Sequence, residues 1–163
     1  MWRMLVVLSL LAVSLSTLAG CGGGGANYPG TQFPPDTRSQ VTISQGIWGN
    51  VWFWEGDFMP RPESEPSHGT VTPVVREVFV YEPTGVMPWT GGGSDIAVNT
   101  KLVAKTASNS TGFFQTSVPP GKYSVFVKEG QRLIGSSDGL NIVTVVPGAV
   151  SKIQLDILHN ASF

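Results

Sequence analysis

The chain has 163 residues, with ten Lys+Arg against eleven Asp+Glu and a net charge of -1, so it carries no electrostatic footprint for nucleic acid. That length accommodates one globular domain and a processed N-terminal segment, and leaves no room for a second domain. Twenty glycines, twelve prolines and only 13% charged residues, without helix-friendly charged runs, point to short strands joined by tight turns and hence to an all-β chain.

Residues 1–20 have one positive charge at Arg3, an apolar run from Met4, and small residues at Ala19 and Gly20, which is the make-up of a secretory signal peptide. Ser9, Ser14, Ser16 and Thr17 interrupt the run, and it is short for a bilayer span, which argues against a retained transmembrane helix. Leu18-Ala19-Gly20-Cys21 resembles the lipobox of bacterial lipoproteins. The resemblance implies that Cys21 is lipidated and becomes the first mature residue, so the membrane is the first expected partner. Cys21 is also the only cysteine, which rules out a disulfide within the chain. Each buried methylene contributes about 0.8 kcal/mol, so the several acyl chains of such an anchor hold the protein essentially permanently. Residues 21–40 then read as the lipidated cysteine and a flexible Gly/Pro-rich tether. By the sorting rule of enterobacterial lipoproteins, Gly22 in place of Asp favours the outer membrane of the cell envelope. Whether the domain faces the periplasm or the medium stays open.

Residues 41–163 form the domain. Turn signals alternating with short apolar runs predict seven strands, at 46–55, 76–82, 102–108, 113–118, 123–128, 142–146 and 150–158. Gly112, Gly121 and Pro147-Gly148 mark tight turns, whereas 56–75 and 83–100 read as long loops. The clearest unit is 109–128, a turn, a strand with Phe114, Thr116 and Val118 alternating, a Pro119-Pro120-Gly121 reversal, and a strand with Tyr123, Val125 and Val127 alternating.

Taken together, Ile47-Trp48-Gly49-Asn50-Val51, Pro73 followed by Val78 and Val80, Thr111-Gly112-Phe113-Phe114, Pro119-Pro120-Gly121-Lys122-Tyr123, and the closing Val150, Ile153, Leu155 and Ile157 resemble the carboxypeptidase regulatory-like domain. The resemblance covers roughly 46–158 and implies a seven-stranded, prealbumin-like Greek-key β-sandwich. It also implies a non-catalytic module for structural or protein-interaction roles, since fold alone assigns no chemistry. Asn109 stands where family members usually carry Asp, which keeps the turn-forming side chain and loses its charge.

No catalytic residue, metal site or cofactor is indicated. His68 and His159 have no carboxylate at ligand-like spacing, and no Gly-x-Ser-x-Gly elbow is present. Two enzyme families share the broad sandwich fold. The hydroxyisourate hydrolases need a Tyr-Arg-Gly-Ser tail where this chain reads Asn160-Ala161-Ser162-Phe163, and the iron-ligand pattern of intradiol dioxygenases is missing. Gly91-Gly92-Gly93-Ser94-Asp95 lacks the Lys-Ser/Thr of a phosphate-binding loop and reads as a loop tip.

The aromatic residues are the remaining candidates. With Ile47, Val51 and Phe53 inward, a period of two places Trp48, Trp52 and Trp54 on the opposite face. With Val78 and Val80 inward, Phe79 and Tyr81 face outward, as do Phe113 and Phe126. Three indoles left in water would each forgo several kcal/mol, at about 25 cal/mol/Å² over roughly 150–250 Å². Three covers are conceivable: the loop 56–75 folding back, an envelope protein partner or second copy, or a glycan stacking on the indoles with help from Asn50, Glu55 and Asp57.

Overall fold

The computed structural model describes residues 31–59, 68–84, 98–135 and 142–163. Cys21, the leader and residues 91–95 lie outside them. Among the described residues the chain is all-β, with strands β1 (Gly46–Asp57), β2 (Thr70–Pro73), β3 (Glu77–Tyr81), β4 (Leu102–Ala107), β5 (Phe113–Thr116), β6 (Gly121–Glu129), β7 (Arg132–Ile134), β8 (Ile142–Val145) and β9 (Val150–Ser162). A short 3-10 turn, Arg38–Gln40, precedes them.

The first sheet is built on β1. Along one edge β1 pairs in parallel with β9, from Gly46 opposite Val150 to Asp57 opposite Ser162. The pairing slips between Glu55 and Gly56, where Asn160 takes a positive φ of 49° and leaves the ladder as an extra residue. The other edge of β1 is shared. β5 pairs antiparallel with its first half and β2 with its second. Between them Val51 holds the seam: its N–H donates to the Gly112 carbonyl (2.8 Å) and its own carbonyl accepts from Val74 N–H (3.2 Å). Gly112 has φ 76°, and an added Cβ would lie 2.6 Å from the Val51 oxygen, so the turn admits only glycine.

The second sheet is organised the same way around β6. β3 lies between β4 and β6, and the far edge of β6 is shared by β8 at Gly121–Ser124 and β7 at Val127–Glu129. Alternation along each strand supplies the core. Ile47, Val51, Phe114, Leu155 and Ile157 of the first sheet meet Val78, Val80, Tyr123, Val125, Val127, Val143 and Val145 of the second in one buried cluster. The two sheets therefore face each other across a common core. Tyr123 is buried there with its hydroxyl donating to the Pro119 carbonyl at 2.8 Å, which ties the Pro-Pro-Gly reversal to the strand that follows.

All seven predicted strands coincide with observed ones, with shifted ends. Two short strands were not expected. The 56–75 stretch is not simply a loop, because β1 runs on to Asp57 and Thr70–Pro73 returns as β2. The alternation is visible there, with Val71 buried between exposed Thr70 and Thr72, but Pro73 masks it by marking a strand end. β7 is a three-residue return after the Gly130 turn, too short to generate a pattern. A larger correction concerns residues 31–40, expected to be tether. They are packed against the domain, and Thr37 is 1% exposed.

Candidate functional site

The expected aromatic positions fall on two separate surfaces. Trp48, Trp52 and Trp54 lie on the outer face of the first sheet, while Phe79 and Tyr81 lie on the outer face of the second, on opposite sides of the core. They do not form one binding surface. Both strands alternate aromatic residues outward, but β1 and β3 belong to different sheets.

On the second sheet, Phe79 and Tyr81 stack with ring centroids 6.4 Å apart, and Tyr81 meets Phe126 edge-on at 5.9 Å. Lys105 Nζ sits 5.1 Å over the Phe79 ring. Its ammonium also pairs with Glu77 Oε1 at 2.5 Å, which holds the Glu77 carboxyl below its usual range. Phe126 is fully buried even though it points away from the core, and the adjacent Ser124 hydroxyl accepts the Thr84 N–H at 3.0 Å. The turn after β3 thus folds onto this face.

The first sheet's outer face is the richer one. The parallel register sets Trp48 beside Lys152, Asn50 beside Gln154, Trp52 beside Asp156 and Trp54 beside Leu158. Asp156, 5% exposed, accepts at Oδ1 from Trp54 Nε1 (2.9 Å) and from Gln154 Nε2 (2.8 Å). A buried carboxylate needs such donors, and here the sheet itself supplies them. Lys152 Nζ lies 5.2 Å over the Trp48 ring, which also meets Phe113 at 6.3 Å.

Over this face runs the segment expected to be tether. Phe33 meets Trp52 and Trp54 at 6.1 and 5.7 Å. Pro34 and Pro35 keep the chain extended, and Asp36 Oδ1 accepts Arg38 N–H (2.9 Å) to start the 3-10 turn. Thr37 Oγ1 donates a short, buried hydrogen bond to Asn50 Oδ1. Further along, Gln40 bonds Thr111 and Asn109, Thr42 exchanges two bonds with Gln115, and Gln45 reaches Val118 and Gly148. The segment therefore runs antiparallel to β1, from the Trp54 end to the Gly46 end, and then turns into it.

Asn109 shows why the amide matters. Its Oδ1 accepts from Thr111 N–H and Phe113 N–H (2.9 and 3.1 Å), as an aspartate would. Its Nδ2 also donates to Gln40 Oε1 at 3.0 Å, which an aspartate could not do. The amide at position 109 thus takes part in the docking of the segment.

Trp48 and Trp54 are 5% and 8% exposed, so neither presents an open indole face. Trp54 is enclosed by Phe58, Val71, Phe33 and Phe163, with Phe163 6.0 Å away and stacked on Phe58 at 5.3 Å. Part of that cover, Phe58 and Val71, comes from the 56–75 stretch. Phe33 and Phe163 were not anticipated, although a lone Phe in a polar Pro-rich stretch is the kind of signal that could have pointed to the first. Glu55 is exposed on the opposite, Phe53-bearing side of the strand, and Asp57 Oδ1 accepts from Met59 N–H and Ser162 Oγ (2.9 and 3.0 Å). Trp52 is half-buried, and its Nε1 has no hydrogen-bond partner among the described residues.

The histidines are apart. His68 is exposed, and His159 stacks on Phe53 at 5.4 Å. Among the described residues no three His, Cys, Asp or Glu are grouped so as to hold a metal ion. No family model, curated protein or solved structure matches the chain.

Proposed function

We propose that this chain is a lipid-anchored lipoprotein of the bacterial cell envelope whose β-sandwich is a non-catalytic module with a structural or protein-interaction role. The observation that carries the reading is Leu18-Ala19-Gly20-Cys21 at the end of an apolar leader. The finer fold assignment, a prealbumin-like Greek-key sandwich of the carboxypeptidase regulatory-like type, is supported by strands at the seven positions read from the alternation of turn signals and apolar runs, arranged in two facing sheets. The absence of Asp after Cys21 favours the outer membrane as its location.

Burial of Trp48 and Trp54 weighs against the alternative of a carbohydrate-binding indole stripe, since a stacked sugar needs an open ring face. Replacing Cys21 by Ala tests the anchor. The variant is expected to lose incorporation of a labelled fatty acid and to leave the membrane fraction or accumulate unprocessed. Unchanged migration and membrane retention would reject lipidation.

A further inference from the structure

The described residues include eight large apolar side chains that are markedly exposed, and four of them, Phe33 (43%), Met59 (47%), Leu158 (51%) and Phe163 (50%), gather at one end of the first sheet. Their contiguity follows from contacts already given. Phe33 and Phe163 both touch Trp54, Leu158 is the register partner of Trp54, and Met59 follows Phe58, on which Phe163 stacks. Half-buried Trp52 adds to the same surface beside Phe33. The patch is centred on a buried indole and ringed by half-exposed apolar groups.

Its position relative to the chain is informative. The described segment begins at Thr31, two residues before Phe33, and only residues 22–30 separate it from Cys21. At no more than about 3.6 Å per residue, ten steps from Cys21 to Thr31 span at most about 36 Å. Had residues 22–40 all been loose, the reach would have been about twice that. Docking of 31–45 therefore delivers the Trp54 end of the sandwich, rather than the Gly46 end, towards whatever holds Cys21.

We infer that this apolar patch rests on the lipid bilayer that carries the anchor, with Phe33, Leu158, Met59 and Phe163 at the depth of the headgroup and acyl boundary. The inference depends on the lipidation proposed above. Among the described residues Asp57, held by Met59 and Ser162, places a carboxylate near the patch. A carboxylate there gains nothing from anionic lipid, so contact is expected on zwitterionic phosphatidylcholine, driven by apolar burial. The short connection raises the local concentration of bilayer at the patch, so a surface too small to bind vesicles alone is held there once the chain is anchored.

The test uses the full processed and acylated protein in phosphatidylcholine vesicles, with Phe163→Cys carrying an environment-sensitive dye. Ser117→Cys, exposed at the Gly46 end, is the control. With Cys21 acylated, the new thiol alone takes the label. The dye at position 163 is expected to shift to the blue, to lose at least about threefold in quenching by an aqueous quencher and to be quenched by shallow brominated lipids, with none of these changes at position 117. Equal water exposure at both positions on vesicle-bound protein would overturn the inference and leave the anchor standing. Protein that does not associate with vesicles and carries no acyl mass would instead overturn the lipidation reading. A blue shift at position 163 without lipid would overturn the inference in favour of a second copy as the cover. As a second variant, Phe33→Ser with Leu158→Ser should raise aqueous quenching of the dye at position 163 towards the level at position 117 while acylation is unchanged, and no change would also count against the inference.

Discussion

Trp52 and Trp54 are two residues apart on the same strand and the same face, yet their indole nitrogens are in opposite situations. Trp54 Nε1 is one of the donors that make Asp156 tolerable in a buried position, whereas Trp52 Nε1 is buried without a partner among the described residues. Replacement of either by Phe removes the same atoms, and because Trp54 is the more buried, lost packing and the lost donor act in the same direction there. Trp54→Phe leaves a buried carboxylate short of a donor and should destabilise the fold by about 1–3 kcal/mol more than Trp52→Phe, which discards an unsatisfied donor. Denaturant melts of the two variants measure it, and equal losses would contradict the assigned role of Asp156. At this scale the sequence was legible for facing and not for surroundings. Period two put Trp48, Trp52 and Trp54 on one face, but no local pattern links Trp54 to Asp156, 102 residues away. Likewise Asn109 was readable as a turn former from its neighbours, while its bond to Gln40 depends on where a distant segment lies.

At the scale of elements, strand existence was read well and strand company was not. Alternation identifies β1, β3 and β6 from Ile47/Val51, Val78/Val80 and Tyr123/Val125/Val127, because each has a buried face on the core. Nothing in those runs states that β1 and β3 belong to different sheets, which sets their outward aromatics on opposite sides of the core. The β3–β4 pair also carries a pH signature. Glu77 is held below its normal carboxyl range by its hydrogen bond to Lys105, with the Lys105 and Lys128 charges adding to the effect. A carboxyl with a depressed folded-state value stabilises the fold above its unfolded value, and that contribution disappears as pH falls through the folded one. Both side chains are solvent-exposed, so the effect is small. Thermal melts below pH 4.5 should therefore fall slightly less steeply for Glu77→Gln than for the parent chain, and equal slopes would show that the pair is not formed.

For the whole molecule, the docked segment 31–45 changes what counts as the domain. Composition marks residues 21–40 as linker, because Pro, Gly, Ser and Thr dominate and apolar periodicity is missing. The segment nonetheless packs, since Phe33 and Thr37 meet complementary groups already fixed by β1. A chain beginning at residue 41 should remain folded around the two-sheet core but lose about 2–3 kcal/mol, from one buried hydrogen bond and the partial burial of Phe33. Its tryptophan emission should shift to the red as Trp52 and Trp54 gain contact with water. Unchanged melting and emission would mean that the segment is not held against the sheet in solution.

The parallel pairing of β1 with β9 bears on how the chain acquires its structure. The strands at Gly46–Asp57 and Val150–Ser162 are roughly a hundred residues apart, and β9 supplies Leu155 and Ile157 to the core together with Asp156 to Trp54. The first sheet therefore cannot close while the chain is still emerging, and loop closure over that separation makes the final step slow. During that interval β1 exposes three indoles and a bare strand edge, an adhesive combination. The chain is therefore at its most aggregation-prone until β9 is in place.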